Sequence, residues 1–126
     1  MALIFISAAS KTAVNGKQLT AAFLEDVAKL HDRYPEHAFL CPMIQGYTLL
    51  PYLEDTVATW QVWGEYCSRV LKPCDELWVI LGPGWVNPTY KMDAQYNTSE
   101  GVATEIKIAI KQRKKIVFYN TEIFYG

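Results

Sequence analysis

Short, continuously apolar segments alternate with segments of helical length along this chain, and this alternation most constrains its fold. The apolar segments are Leu3–Ile6, Ala38–Cys41, Leu77–Leu81 and Ile116–Tyr119, with Ile123–Tyr125 as a short terminal strand or packing arm. Runs without a polar residue at every second position are typical of parallel strands buried on both faces. Strands that alternate with helices imply right-handed crossovers between parallel strands. The pattern therefore predicts an α/β fold.

The intervening segments carry apolar stripes at helical spacing. The stripes are Leu19, Phe23, Val27 and Leu30; Trp60, Trp63, Cys67, Val70 and Leu71 in a helix over about residues 56–71; and Val102, Ile106, Ala109 and Ile110. With the strands, they predict a single domain over residues 1–126. We expect a three-layer α/β/α sandwich, flavodoxin-like or Rossmann-like, with strand order 2-1-3-4-5 and a pocket at the C-terminal ends of the strands.

Composition limits the classes of function. The 126 residues are 51% hydrophobic and 20% charged, with a net charge of −1, which fits a globular domain rather than a disordered one. The basic cluster at 111–115 falls at a predicted helix C-terminus, where cations are favourable, so we expect no nucleic-acid polymer as partner. No apolar run spans a membrane, and no basic-then-apolar leader is present. The three cysteines lack metal-ligand spacing, so we expect reduced thiols, a cytoplasmic location and no metal or cofactor.

Glu105 is the most informative candidate for chemistry. Thr98 or Ser99 is suited to cap the helix that carries it. At about 100° per residue, Glu105 lies about 60° from Val102, at the edge of the apolar stripe. A half-buried carboxylate near the C-terminal edge of a sheet favours a functional site. A solvated glutamate with a salt-bridge partner such as Lys111 or Arg113 fits the spacing equally well.

Several motifs in the second half of the chain carry a family resemblance. They are Trp60-x-x-Trp63-x-x-Tyr66, Cys74-Asp75-Glu76-Leu77, Gly82-Pro83-Gly84-Trp85, and Ser99-x-Gly101-Val102-x-x-Glu105-Ile106 with Ala109 and Lys115-Ile116-Val117. This pattern resembles the nucleoside 2-deoxyribosyltransferase-like superfamily, in particular its small bacterial and phage branch. The resemblance implies cleavage of the N-glycosidic bond of a nucleoside or nucleotide. Glu105 would attack C1′ of the sugar and form a glycosyl-enzyme, as in retaining glycosidases.

The resemblance also suggests substrate-binding residues. Phe5 and Trp85 would stack on a base or sugar, and Gln45 would contact a base edge. Cys67 and Ser99 stand where family members have aspartates, and Phe5 where many have a tyrosine. Asp93 lies in a loop longer than usual and offers a replacement polar contact, and Gly101 belongs to the motif of the catalytic helix.

Two further candidates have alternative interpretations. Ser7 and Ser10 follow the first strand and would hold a phosphate or sugar hydroxyls, although any polar loop after a strand looks similar. Asp75 matches the family pattern, but an acid just before a buried strand more often caps a turn or pairs with a cation such as Arg69 or Lys72.

Three functions remain open from the sequence. The first is a deoxyribosyltransferase or N-glycosidase with Glu105 as nucleophile. The second is a catalytically silent nucleotide-binding module that senses or sequesters a ligand. The third is an interaction domain, since the aromatic residues of the second helix and of the segment 42–55 favour a homo-oligomer, a dimer or larger. The resemblance to the family implies assembly as well.

Overall fold

The computed structural model describes residues 1–8, 12–13, 18–19, 21–42, 44, 63–81, 92–93 and 98–120. In chain order the elements are β1 (Leu3–Ala8), β2 (Thr12–Ala13), β3 (Gln18–Leu19), α1 (Ala21–Arg33), β4 (Ala38–Leu40), α2 (Trp63–Leu71), β5 (Glu76–Leu81), β6 (Met92–Asp93), β7 (Thr98–Ser99), α3 (Glu100–Lys111) and β8 (Lys115–Asn120). Among these helices, none is long and apolar enough to cross a membrane.

The main sheet is parallel and has four strands in the order β4-β1-β5-β8. Numbered by their appearance in the chain, these strands run 2-1-3-4. The four apolar segments therefore form the sheet as predicted, and the α/β class is confirmed. The segment proposed as a terminal strand, 123–125, lies outside the described residues.

Side chains of β1 alternate between two core clusters, as expected for a strand with a side-chain period of two. Ile4 and Ile6 pack with Val27 and Leu30 of α1. Phe5 belongs to a second cluster that contains residues of α2, β5 and α3, namely Cys67, Leu71, Cys74, Leu77, Val79, Val102, Ile106 and Ala109. The α2 and α3 helices thus share one cluster, and this cluster contains the motif around Glu105.

The structure corrects two local predictions. Leu19, assigned to the first helical stripe, lies in β3, which pairs with β2 in a two-stranded antiparallel ribbon. Ile110 was expected on the buried stripe but is 55% exposed. It lies in the last turn of α3, whereas Ala103, on the same side of the helix near its start, is buried. Trp60 and the first part of the predicted second helix lie outside the described residues.

An aromatic group packs in the α1 cluster. Trp78 stacks on Tyr119 with ring centroids 5.8 Å apart, and Tyr34 meets both rings edge-on. Burial, reinforced by the neighbouring Tyr34 side chain, raises the pKa of Tyr119 to about 12. These rings fill the core between α1 and the sheet, and we assign them to packing.

Candidate functional site around Glu105

Helix α3 carries Glu105 into the core. The helix begins at Glu100, so Ser99 stands directly before it in the chain, at the position of a cap, within the short strand β7. Glu105 is only 6% exposed, and its neighbours Val102, Ala103 and Ile106 are buried with it. The carboxylate therefore lies on the side of α3 that faces the core cluster, and not on the solvated face of the helix. Burial of a carboxylate is unfavourable unless it is compensated, which marks this position as unusual.

Cys67 of α2 is the neighbour that faces this carboxylate. Its Sγ donates a hydrogen bond to Oε1 of Glu105 across 3.7 Å, and the side chain of Cys67 is fully buried. Burial, the charge of Glu105 and this hydrogen bond raise the pKa of the Cys67 thiol well above its usual range. The thiol is therefore protonated at neutral pH and is a donor. The resemblance suggested Cys67 as a substrate-binding residue, whereas the structure places it in the core, against Glu105.

Further hydrogen bonds link α2 to the residues that follow α3. Gln112, just after α3, donates from Nε2 to the backbone oxygen of Ser68 at 2.9 Å and to its Oγ at 3.2 Å. Lys114 donates from Nζ to the backbone oxygen of Lys72 at 2.8 Å. Together with the shared core cluster, these bonds hold α2 and α3 as a pair, with Cys67 and Glu105 between them.

Ser7 adds a buried hydroxyl on the same side of β1 as Phe5. It lies two residues after Phe5 and pairs in register with Val79, a member of the α2–α3 cluster. The side chain is fully buried, and its Oγ makes no hydrogen bond with any part of the chain that the structure describes. A buried hydroxyl without a partner costs free energy. A polar ligand atom at this end of β1 would remove that cost.

Gly101 lies in the first turn of α3 and is exposed. A Cβ built at this position meets no atom of the described residues within 4 Å, so these residues leave space beside the start of α3. Packing therefore does not require glycine here. The open space allows a ligand to approach the backbone at the start of α3.

Phe5 does not present a stacking face. Its ring is 1% exposed and packs in the core with Cys67 and Val102. The expected contact between Phe5 and a base or sugar is therefore not supported by its placement. Phe5 instead forms part of the apolar wall around Glu105.

Asp75 lies at the amino-terminal end of the sheet, away from the expected pocket. Its Oδ2 accepts a hydrogen bond from the backbone N–H of Leu3 at 2.7 Å, and its own N–H donates to the Leu3 oxygen at 2.7 Å. The structural role favoured from the sequence is thus present, with a backbone partner rather than a cation. Arg69 instead pairs with Glu65 at 2.8 Å.

We expect Asp75→Ala to lower the free energy of unfolding by about 1 kcal/mol, the usual worth of one side-chain hydrogen bond. Activity assigned to Glu105 should be unchanged, since Asp75 lies at the opposite edge of the sheet. Urea unfolding of the variant and the wild type, read by tryptophan fluorescence, measures the difference. A loss of activity in a folded Asp75→Ala protein would contradict this assignment.

The remaining predicted site residues are only partly placed. Ser10, Gln45 and Trp85 lie outside the described residues. The backbone of Asp93 pairs with that of Thr98 in the β6–β7 ribbon, and β6 contacts α3. The ribbon thus brings the backbone of Asp93 to the start of α3, within the segment that the sequence assigned to a polar loop.

Two residues of this region escaped sequence reasoning. Gln112 and Ser68 are 44 positions apart, and neither belongs to a motif. Their bond follows only from the packing of α2 on α3, so no local signal could have revealed it.

Within the described ranges, no group of three or more His, Cys, Asp or Glu side chains could hold a metal ion. Comparisons of the chain with protein-family models, with curated proteins and with solved structures find no match.

Proposed function

We propose that this protein cleaves the N-glycosidic bond of deoxynucleosides or their 5′-monophosphates, as a 2-deoxyribosyltransferase or N-glycosidase with Glu105 as nucleophile. The observation that carries the proposal is the burial of the Glu105 carboxylate, 6% exposed, between α2 and α3. A buried carboxylate is costly to the fold, and such groups are concentrated at functional sites. The family resemblance supplies the reaction.

In the proposed reaction, a carboxylate oxygen of Glu105 forms a bond to C1′ of the sugar. The bond between C1′ and the base nitrogen breaks, and its electron pair stays on that nitrogen, which takes a proton from water or an acid. Water or a second base then displaces the carboxylate from C1′. The apolar surroundings of Glu105 strengthen its interaction with the positive charge that develops on the sugar.

Other residues are assigned to substrate binding in this proposal. Ser7 is assigned to a sugar hydroxyl or a phosphate oxygen, and a ligand atom that reached its buried Oγ would supply the partner that it lacks among the described residues. The open space at Gly101 gives the substrate access to the start of α3. Residues proposed on the resemblance alone are Ser10, Gln45, Trp85, Asp93 and Ser99.

A second candidate is a catalytically silent nucleotide-binding module in the same pocket. The contact between Cys67 and Glu105 favours it, because a neutral thiol stands where the family pattern has an aspartate. Loss of an acid that protonates the leaving base lowers rates by about 10²–10⁴. A site with such a loss could retain binding without useful turnover.

Incubation of the wild-type protein with a panel of deoxynucleosides and 5′-monophosphates separates these candidates. Chromatography detects free base, and thermal unfolding detects binding, because a ligand of the folded state raises the melting temperature. Base release supports the enzyme. Stabilisation without release supports the silent module. If neither base release nor stabilisation is observed, the interaction domain is the remaining candidate.

We also propose the finer features that the sequence predicts: a fifth strand from 123–125, a three-layer sandwich, a cytoplasmic location and a homo-oligomer. The described β8 forms one edge of the four-stranded sheet, which is the place for a fifth strand in the order 2-1-3-4-5.

We expect the protein to be at least a dimer, because the aromatic residues of α2 and of the 42–55 segment exceed what a domain of this size readily buries. Tyr66 of α2 is 36% exposed, in line with this expectation. Light scattering at tens of micromolar tests it, and a monomer mass at that concentration would contradict it.

A further inference from the structure

The contact between Cys67 and Glu105 joins two helices across the core. Sγ lies 3.7 Å from Oε1, and the two residues are 38 positions apart in the chain. Both side chains are buried, and their helices are held by the Gln112–Ser68 hydrogen bonds. Both the thiol and the carboxylate therefore lie on helices that are bonded to each other, and not in a loop.

A carboxylate on a glutamate rotates broadly about its last side-chain torsion, which has no sharp preferred value. A hydrogen bond to one oxygen restricts this rotation. Phe5, Val102 and Ile106 of the surrounding cluster are apolar, so their side chains do not select the orientation of the carboxylate by hydrogen bonding. The thiol of Cys67 supplies a directional contact.

We propose that Cys67 is a positioning residue for Glu105: its S–H group donates to Oε1 and fixes the plane of the carboxylate for attack on C1′. This inference rests on the proposed function, in which Glu105 is the nucleophile. Cys67 itself touches neither substrate nor the reacting bond in this role.

A thiol suits this role better than a stronger donor. S–H is a weak hydrogen-bond donor, whereas hydroxyl, amide and charged donors bind a carboxylate strongly. A strong donor would orient Glu105 but also stabilise its negative charge before attack, which lowers its nucleophilicity. Cys67 orients the group at a smaller cost to its reactivity.

The kinetic test compares Cys67→Ala with Cys74→Ala. Cys74 is a matched control, because it is a buried cysteine of the same cluster whose Sγ donates to a backbone oxygen, that of Val70, at 3.4 Å. We expect Cys67→Ala to lower kcat for base release about 10-fold, the rate equivalent of one hydrogen bond, with KM little changed. Cys74→Ala should leave kcat and KM near those of the wild type.

Cys67→Ser restores a donor at the same position and should recover only part of the lost kcat, because a hydroxyl orients the carboxylate but also stabilises its charge. If the thiol only fills space, the two alanine variants should behave alike: both should lower the free energy of unfolding, and neither should lower kcat. An unchanged kcat in folded Cys67→Ala, with an active wild type, would overturn the proposal.

An infrared measurement tests the contact without turnover. The S–H stretching band of Cys67, identified by subtraction of the Cys67→Ala spectrum, should move to higher frequency in Glu105→Ala, because the acceptor is lost. The band of Cys74 should stay in place. Absence of base release by the wild type would overturn the proposed function, whereas an S–H band insensitive to Glu105→Ala would overturn the positioning by Cys67.

Discussion

Release of free base should fall by about 10³-fold or more in Glu105→Ala and in the isosteric Glu105→Gln, the loss typical of a removed nucleophile. The free energy of unfolding should stay the same or rise, because the carboxylate is buried and catalytic groups are often unfavourable to stability. Single-turnover assays with the best deoxynucleoside and thermal unfolding of both variants measure the two effects. A fall in activity without a fall in stability would show that Glu105 acts in the reaction and not in the packing of the core.

Glu76→Gln is the matched control for this experiment. Glu76 is another half-buried carboxylate on a central element, 3.7 Å from Nζ of Lys115, and it lies at the amino-terminal end of β5, far from the expected pocket. Its replacement should leave base release unchanged. If base release survives in Glu105→Ala, the proposed substrate class stands but another residue is the nucleophile. Asp93 is the next carboxylate to replace.

Cys67→Asp should lower the free energy of unfolding at neutral pH by about 3 kcal/mol or more, because it places a second carboxylate in the core beside Glu105. Two buried carboxylates in contact do not both ionise, so the folded state retains a proton that the unfolded state loses. Stability relative to the wild type should therefore fall as pH rises and recover as pH is lowered toward about 4, the range of ordinary carboxyl groups.

Cys67→Asn is the control for this variant, since asparagine has the same shape and no charge. Its stability relative to the wild type should be lowered by a similar packing cost but without the dependence on pH. Urea unfolding at several pH values between mild acid and neutrality measures both variants. A Cys67→Asp protein as stable as the wild type at neutral pH would show that position 67 is open to water, contrary to its burial.

The parallel sheet could be predicted because each of its strands is a short apolar run that is visible in the local sequence. The run Leu3–Ile6 is apolar at every position, and its residues supply both core clusters. The same holds for Leu77–Leu81, which pairs with strands on both sides. The ribbons β2–β3 and β6–β7 were not predicted, since two-residue strands carry too little pattern to be recognised.

The site was predictable only in part. The angular position of Glu105 on α3 indicated its place near the buried face, but spacing could not decide between the core edge and the solvent. Tertiary packing decided it, because α2 lies against that side of α3. Phe5 and Asp75 show the limits of the resemblance: it suggested a substrate contact for both, yet one is a core ring and the other bonds the backbone of Leu3.

The bonds from Gln112 to Ser68 have an evolutionary consequence. Ser68 directly follows Cys67 and Gln112 lies two helical turns beyond Glu105, so these bonds link α2 to α3 close to the buried pair. Substitutions at Gln112 would therefore change the separation of Cys67 and Glu105 while leaving both of those residues in place. Evolution can vary the geometry of the buried pair in this way without replacing either member of it.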